Sequence, residues 1–154
     1  LTGTYPWKLT LHSGHTLLLK RYQCRNDIAV MSILRVMNAL WRTEGLYTPV
    51  YGVQGLGTSG CIVEMIPESA SVKTRGLESL AALDQTTLAR TSATALVVAY
   101  VLGLVDRHQN NIIVTEAGEV FNIDFDYAFG KPDLPGAALL WNALSRYVKD
   151  RGMH

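Results

Sequence analysis

Four side chains in residues 106–124 have the types and spacing that phosphoryl chemistry uses. In "DRHQNN", Asp106 is followed by His108 and, five positions on, by Asn111; "IDFD" then sets Asp124 directly before Phe125. Transfer of a phosphoryl group asks little covalent chemistry of a protein. It needs charge neutralisation on the phosphates, a cation on the nucleotide and a group that orients the attacking hydroxyl. Mg²⁺ prefers hard oxygen donors, commonly one carboxylate and one amide carbonyl beside the substrate's own phosphates. Asn111 and Asp124 supply that pair of donors, and a histidine with a near-neutral ordinary pKa suits acid–base work.

These residues act together only if the chain folds them together. "NIIV" and "EVFNI" flank the turn "TEAGE", so two short strands of a hairpin are expected, with the polar residues just before the first strand and just after the second. The open end of such a ribbon gathers Asp106, His108, Asn111 and Asp124. Upstream, "WKLTLHSGHTLLLK" predicts a hairpin about Ser13-Gly14, and the run from Asp27 to Trp41 has helical spacing, with Asp27 as its opening residue and Gly45 as its stop. "TPVYGV" and "GCIVEMI" read as strands joined by "QGLGTS". Residues 67–84 read as a linker with one helical turn. A long helix capped near Asp84 follows, and "GAALLWNALSRYVKDRG" predicts a final amphipathic helix.

Composition narrows the function classes. Fourteen Lys and Arg against thirteen Asp and Glu leave a formal charge of +1, too little for bulk attraction to nucleic acid. The longest apolar run, Ala93 to Val105, is shorter than the ~20 residues of a membrane span, and Leu1 to Trp7 lacks the character of a secretory signal. Two cysteines, Cys24 and Cys61, are expected to be reduced, buried thiols of an intracellular chain.

The order D-R-H, with "YVLGLVDRHQNNIIVTEAGEVFNIDFDYAFG" as a whole, resembles the catalytic and metal-binding loops of the phosphoinositide 3-/4-kinase superfamily, which includes the phosphoinositide-kinase-related protein kinases. That family reads roughly G-D-R-H-x-x-N-I and then H-I-D-F-G. "KLTLHSGHTLLLK", "RNDIAVMSILRVMNALW" and "GCIVEMI" are similar to its first hairpin, its next helix and its adenine-binding hinge. The resemblance implies an α+β, kinase-like fold of two lobes abbreviated at both ends. Residues 1–66 would form the N-lobe and residues 67–154 a truncated C-lobe. By position, Lys20 resembles the family's phosphate-contacting lysine, Asp27 matches the acid that opens its next helix, and Glu64 and Ile66 match the hinge residues whose backbone binds adenine. Asp106 and His108 resemble the catalytic pair, and Asn111 and Asp124 the Mg²⁺ ligands. Arg107 is expected to be a structural ion-pair partner.

The implied activity is transfer of the γ-phosphoryl of Mg·ATP to a hydroxyl of phosphatidylinositol. A protein Ser/Thr acceptor and a non-catalytic nucleotide-binding module are the alternatives. The implied location is cytoplasmic, with peripheral membrane contact and no transmembrane segment. Two departures from the family pattern stand beside the metal ligands: Asp126 replaces the glycine after D-F, and Asn122 the histidine before I-D-F.

Overall fold

The computed structural model describes residues 6–129. It is an α+β arrangement of two small antiparallel sheets and three helices. The first sheet has the order β1-β2-β4-β3, from β1 (Trp7–Thr10), β2 (Thr16–Lys20), β3 (Val53–Leu56) and β4 (Gly60–Met65). Its opening hairpin turns at Gly14, whose φ of 86° is a left-handed conformation that glycine adopts at no steric cost. The second sheet, β5-β6-β7, comprises β5 (Ser69–Ser71), β6 (Ile112–Thr115) and β7 (Val120–Asn122). No helix among the described residues is long and apolar enough to cross a membrane.

Helix α1 (Arg25–Trp41) lies on the first sheet and buries Val30, Met31 and Leu34 in a core shared with Cys61 and Val63 of β4. Each such side chain contributes roughly 1.5–3 kcal/mol by leaving water. The expected core stripe is only partly internal, since Val36 and Leu40 of the same helix are exposed. Helix α3 (Gln85–Val101) begins where expected: the Asp84 carboxylate accepts hydrogen bonds from the Thr86 and Thr87 amides. It packs on β7, and Val98 joins Phe121 and Phe125 in the same core as α1. That continuous core fixes the second sheet relative to the first.

Four sequence expectations are corrected here. Asp27 does not cap α1: the N-cap is Cys24 and makes no side-chain cap bond, while Asp27 lies buried in the first turn. The stretch read as a linker holds β5, which pairs Ala70 with Val114, then the short helix α2 (Val72–Arg75) and a 3₁₀ segment at Leu77–Ala82. Its small polar residues concealed a strand because it is an edge strand of only three residues. Strand β3 starts at Val53 and runs through Gly55, so the connection is shorter than "QGLGTS" suggested. Lastly, Cys24 and Cys61 form a disulfide, with Cα atoms 6.0 Å apart. The β2–β4 register puts Cys61 opposite Lys20, and the chain returns within four residues to bring Cys24 to the same place. The expected final helix lies outside the described residues.

Candidate active site

The hairpin expected from residues 112–122 forms, with Ile112 opposite Asn122 and Val114 opposite Val120. Its open end is sewn shut by backbone and side-chain bonds. The Ile123 amide donates to the Asn111 carbonyl at 3.0 Å, and the Asn111 amide donates to the His108 carbonyl at 2.9 Å. Asn111, itself buried, uses Nδ2 to donate to the Asp106 carbonyl at 3.0 Å. With its nitrogen engaged, the side-chain amide keeps its oxygen as the remaining acceptor. Asp106 and His108 sit half-exposed with Oδ1 and Nε2 3.7 Å apart. The structure therefore brings Asp106, His108, Asn111 and the start of the Asp124 segment to one end of the ribbon.

Asp106 and Asp124 both have a φ of 60°. That left-handed conformation is uncommon for a residue with a side chain, costs about 1–2 kcal/mol, and concentrates at functional positions. Arg107 lies between them in the fold. It is buried, and donates from Nε to the Val105 carbonyl at 3.0 Å, from Nη1 to the Ile123 carbonyl at 2.7 Å and from Nη2 to the Asp124 carbonyl at 2.5 Å. Burial lowers its pKa, and the carboxylates of Asp124 and Asp106 oppose that. The expected ion pair is corrected: among the described residues no salt bridge joins Arg107 to either carboxylate.

A cavity of about 400 Å³ opens between the two sheets, a size suited to a small-molecule ligand. One wall carries Lys20, Val63 and Glu64 to Ile66; the facing wall carries Phe121, Ile123 and Asp124. Lys20 thus faces the ribbon across the cleft. Burial alone would lower its pKa, yet the hydrogen bond to Tyr22 and the charges of Asp27 and Asp124 raise it, so the ammonium form is held. Its Nζ stands 5.2 Å from the Tyr22 ring centre. Asp27 is the odd member. It is 1% exposed, its Oδ1 has no hydrogen-bond partner, and burial pushes its pKa up to about 6 although Lys20 opposes the shift.

In β4, the Glu64 side chain accepts from the Gly52 amide through Oε2 at 2.8 Å. The Ile66 carbonyl is taken by the Ser69 hydroxyl at 2.6 Å. Asp126 follows Phe125 at the surface, and Asn26 Nδ2 donates to the carbonyls of both at 3.1 Å, tying the start of α1 to the ribbon.

Sequence reasoning missed Tyr22, Tyr51 and Asn26. Tyr22 and Tyr51 line the cleft as single aromatics outside any periodic pattern, which gave no signal. Among the described residues no three His, Cys, Asp or Glu side chains converge as a metal cage. An amide oxygen and a carboxylate are instead the sparse donor set of Mg²⁺ carried in with phosphates, so the donors present fit that ion.

Lys20 and Asp124 thus face each other across a cavity between the two sheets. Residues 75–137 match the family model described as phosphatidylinositol 3- and 4-kinase, and that stretch holds every one of the ribbon residues. The chain is similar to the phosphatidylinositol 3-kinase C2 domain-containing subunit gamma of Rattus norvegicus, 28% identical over 131 residues and covering 69% of this chain. The Mus musculus protein of the same description matches to the same extent. The chain spans 9% of the length of these relatives.

Proposed function

We propose that the chain binds Mg·ATP in the cleft between its sheets and transfers the γ-phosphoryl group to a hydroxyl of an inositol lipid. The observation that carries this reading is the cavity itself, lined by Lys20 on one side and Asp124 on the other. Adenine would lie against the backbone of Glu64 and Ile66, and Lys20 would meet the phosphates. Asn111 and Asp124 would hold Mg²⁺, which when bound neutralises phosphate charge. Asp27 adds negative potential behind Lys20 and helps hold it charged.

Asp106 and His108 are half-exposed, so an acceptor would reach them from solvent. In the step they serve, the acceptor oxygen forms a bond to the γ-phosphorus as the bond to the β-phosphate oxygen breaks, ADP leaves, and the hydroxyl proton passes to Asp106 or His108. Holding that hydroxyl in line is what the pair contributes. The kinase-family match and similarity to a phosphatidylinositol 3-kinase subunit favour a lipid acceptor.

The test is a paired assay: ATP binding by calorimetry with and without Mg²⁺, then phosphoryl transfer to phosphatidylinositol vesicles and to Ser/Thr peptides. The reading expects Mg²⁺-dependent binding and lipid transfer, both lost in Asp124→Ala. Peptide transfer alone would move the acceptor to protein. Binding without turnover above the Asp124→Ala level would make this a nucleotide-binding module and not an enzyme.

A further inference from the structure

We propose that Arg107 is a positioning residue that sets the backbone dihedrals of Asp124, and so aims its carboxylate at the metal, through hydrogen bonds to carbonyls alone. This rests on the reading of Asp124 as a metal ligand. The geometry behind it is specific. The two torsions of Asp124 are the rotations between the peptide plane that ends in the Ile123 carbonyl and the plane that ends in its own carbonyl. Arg107 grips both of those oxygens, Nη1 on Ile123 at 2.7 Å and Nη2 on Asp124 at 2.5 Å. With both planes held by one rigid guanidinium, φ and ψ of Asp124 are fixed together, and φ stays at its left-handed 60°.

The third bond, from Nε to the Val105 carbonyl, holds the peptide plane that precedes Asp106, the other left-handed residue of the site. One side chain therefore spaces the acid of the catalytic loop from the acid of the metal loop. The guanidinium carbon also lies 5.8 Å from the ring centre of Phe125, which is fully buried and backs the arrangement. A buried cation beside two carboxylates would ordinarily pair with one of them. Arg107 gives its donors to main-chain oxygens instead, and both carboxylates stay available for ligand and substrate.

Lysine cannot replace this. An ammonium keeps the charge but presents a single point, whereas the planar fork reaches three oxygens in fixed directions. The substitution Arg107→Lys therefore separates geometry from charge.

The experiment measures the affinity of the intact chain for a non-hydrolysable ATP analogue, with and without Mn²⁺, in wild type, Arg107→Lys and Asp124→Ala. Amide hydrogen exchange and thermal midpoint are recorded on the same samples. Wild type should bind more tightly with Mn²⁺. In Arg107→Lys the metal-free affinity should persist while the Mn²⁺ enhancement falls by about 10–100-fold, the usual cost of losing a residue that orients a metal ligand. Exchange at the Phe125 to Ala128 amides should accelerate without a matching fall in thermal midpoint.

Full Mn²⁺ enhancement in Arg107→Lys would overturn the proposal while leaving the metal site standing. An equal loss of affinity with and without Mn²⁺ would also overturn it, since that is the mark of general structural damage. If wild type itself gains nothing from Mn²⁺, the metal reading fails, and the aiming role falls with it.

Discussion

Among the described residues, the hairpins β1–β2 and β6–β7 are of similar size and opposite character. Strands β1 and β2 turn at Gly14 in open solvent, and all four residues of β1 are exposed. Strands β6 and β7 are almost wholly buried, and their turn at Gly118 is pressed against the start of α3. Both carry histidine and hydroxyl or acid groups near an end. In the outer hairpin these groups satisfy each other at the turn, as Ser13 and His15 do at 2.9 Å. In the inner one the polar groups sit at the open end, where Phe125, Arg107 and Asn111 fix the backbone before any ligand arrives. A ribbon becomes a site when its open end is embedded in a core that holds unusual backbone conformations in place; polar residues alone do not make one.

That contrast breaks most visibly in stability. Phe125→Ala, at a fully buried position behind the inner ribbon, should cost about 3–5 kcal/mol in denaturant unfolding. Leu9→Ala in the outer hairpin, 44% exposed, should stay within about 0.5 kcal/mol. Equal costs would mean that the two ribbons are embedded alike.

Next in size is the pH dependence of Asp27, a buried carboxyl that feels the charges of Asp124 and Asp126. Burial raises its folded pKa from 3.8 to about 6, so the folded state holds the proton more tightly than the unfolded chain. Its contribution is fully present below about pH 4 and is lost as pH rises through about 6, a change on the order of 3 kcal/mol. Asp27→Asn should unfold like wild type near pH 4 and be the more stable of the two near pH 7. Parallel pH profiles for the two proteins would contradict this.

The smallest effect sharpens the comparison at the turns themselves. Gly14 and Gly118 share a φ of 86°, so alanine at either pays roughly 1–2 kcal/mol for a left-handed backbone. At Gly14 nothing lies within 4 Å of an added Cβ, but at Gly118 the Asp84 carbonyl lies at 3.0 Å. Gly118→Ala should therefore be the more destabilising of the pair in thermal unfolding, and the reverse order would mean that the inner turn has room to shift.

The inner ribbon was legible because its signals are local: two apolar strands, a turn between them, and acids and amides at fixed offsets. Asp84 was legible for the same reason, since a cap reads out within three residues. What stayed hidden depends on contacts across the chain. Asp27 looks like a helix-opening residue in sequence and is instead a buried carboxyl, because α1 starts two residues earlier and turns that face toward Lys20. Strand β5 has no strand-like residues and exists because β6 offers it an edge. The Cys24–Cys61 disulfide spans 37 positions and follows from strand register. Arg107 reads as an ion-pair partner by composition, and only the fold reveals that its acceptors are carbonyls.

The account turns on Asn111 and Asp124 sharing one divalent ion with nucleotide, and paramagnetic broadening reads that directly. With the nucleotide analogue bound, sub-stoichiometric Mn²⁺ should first erase the NMR signals of the Asn111 side-chain amide and the Asp124 backbone, and leave Ser13 and Gly14 of the outer hairpin sharp. Signals at Asn111 and Asp124 that persist while other regions broaden would contradict it.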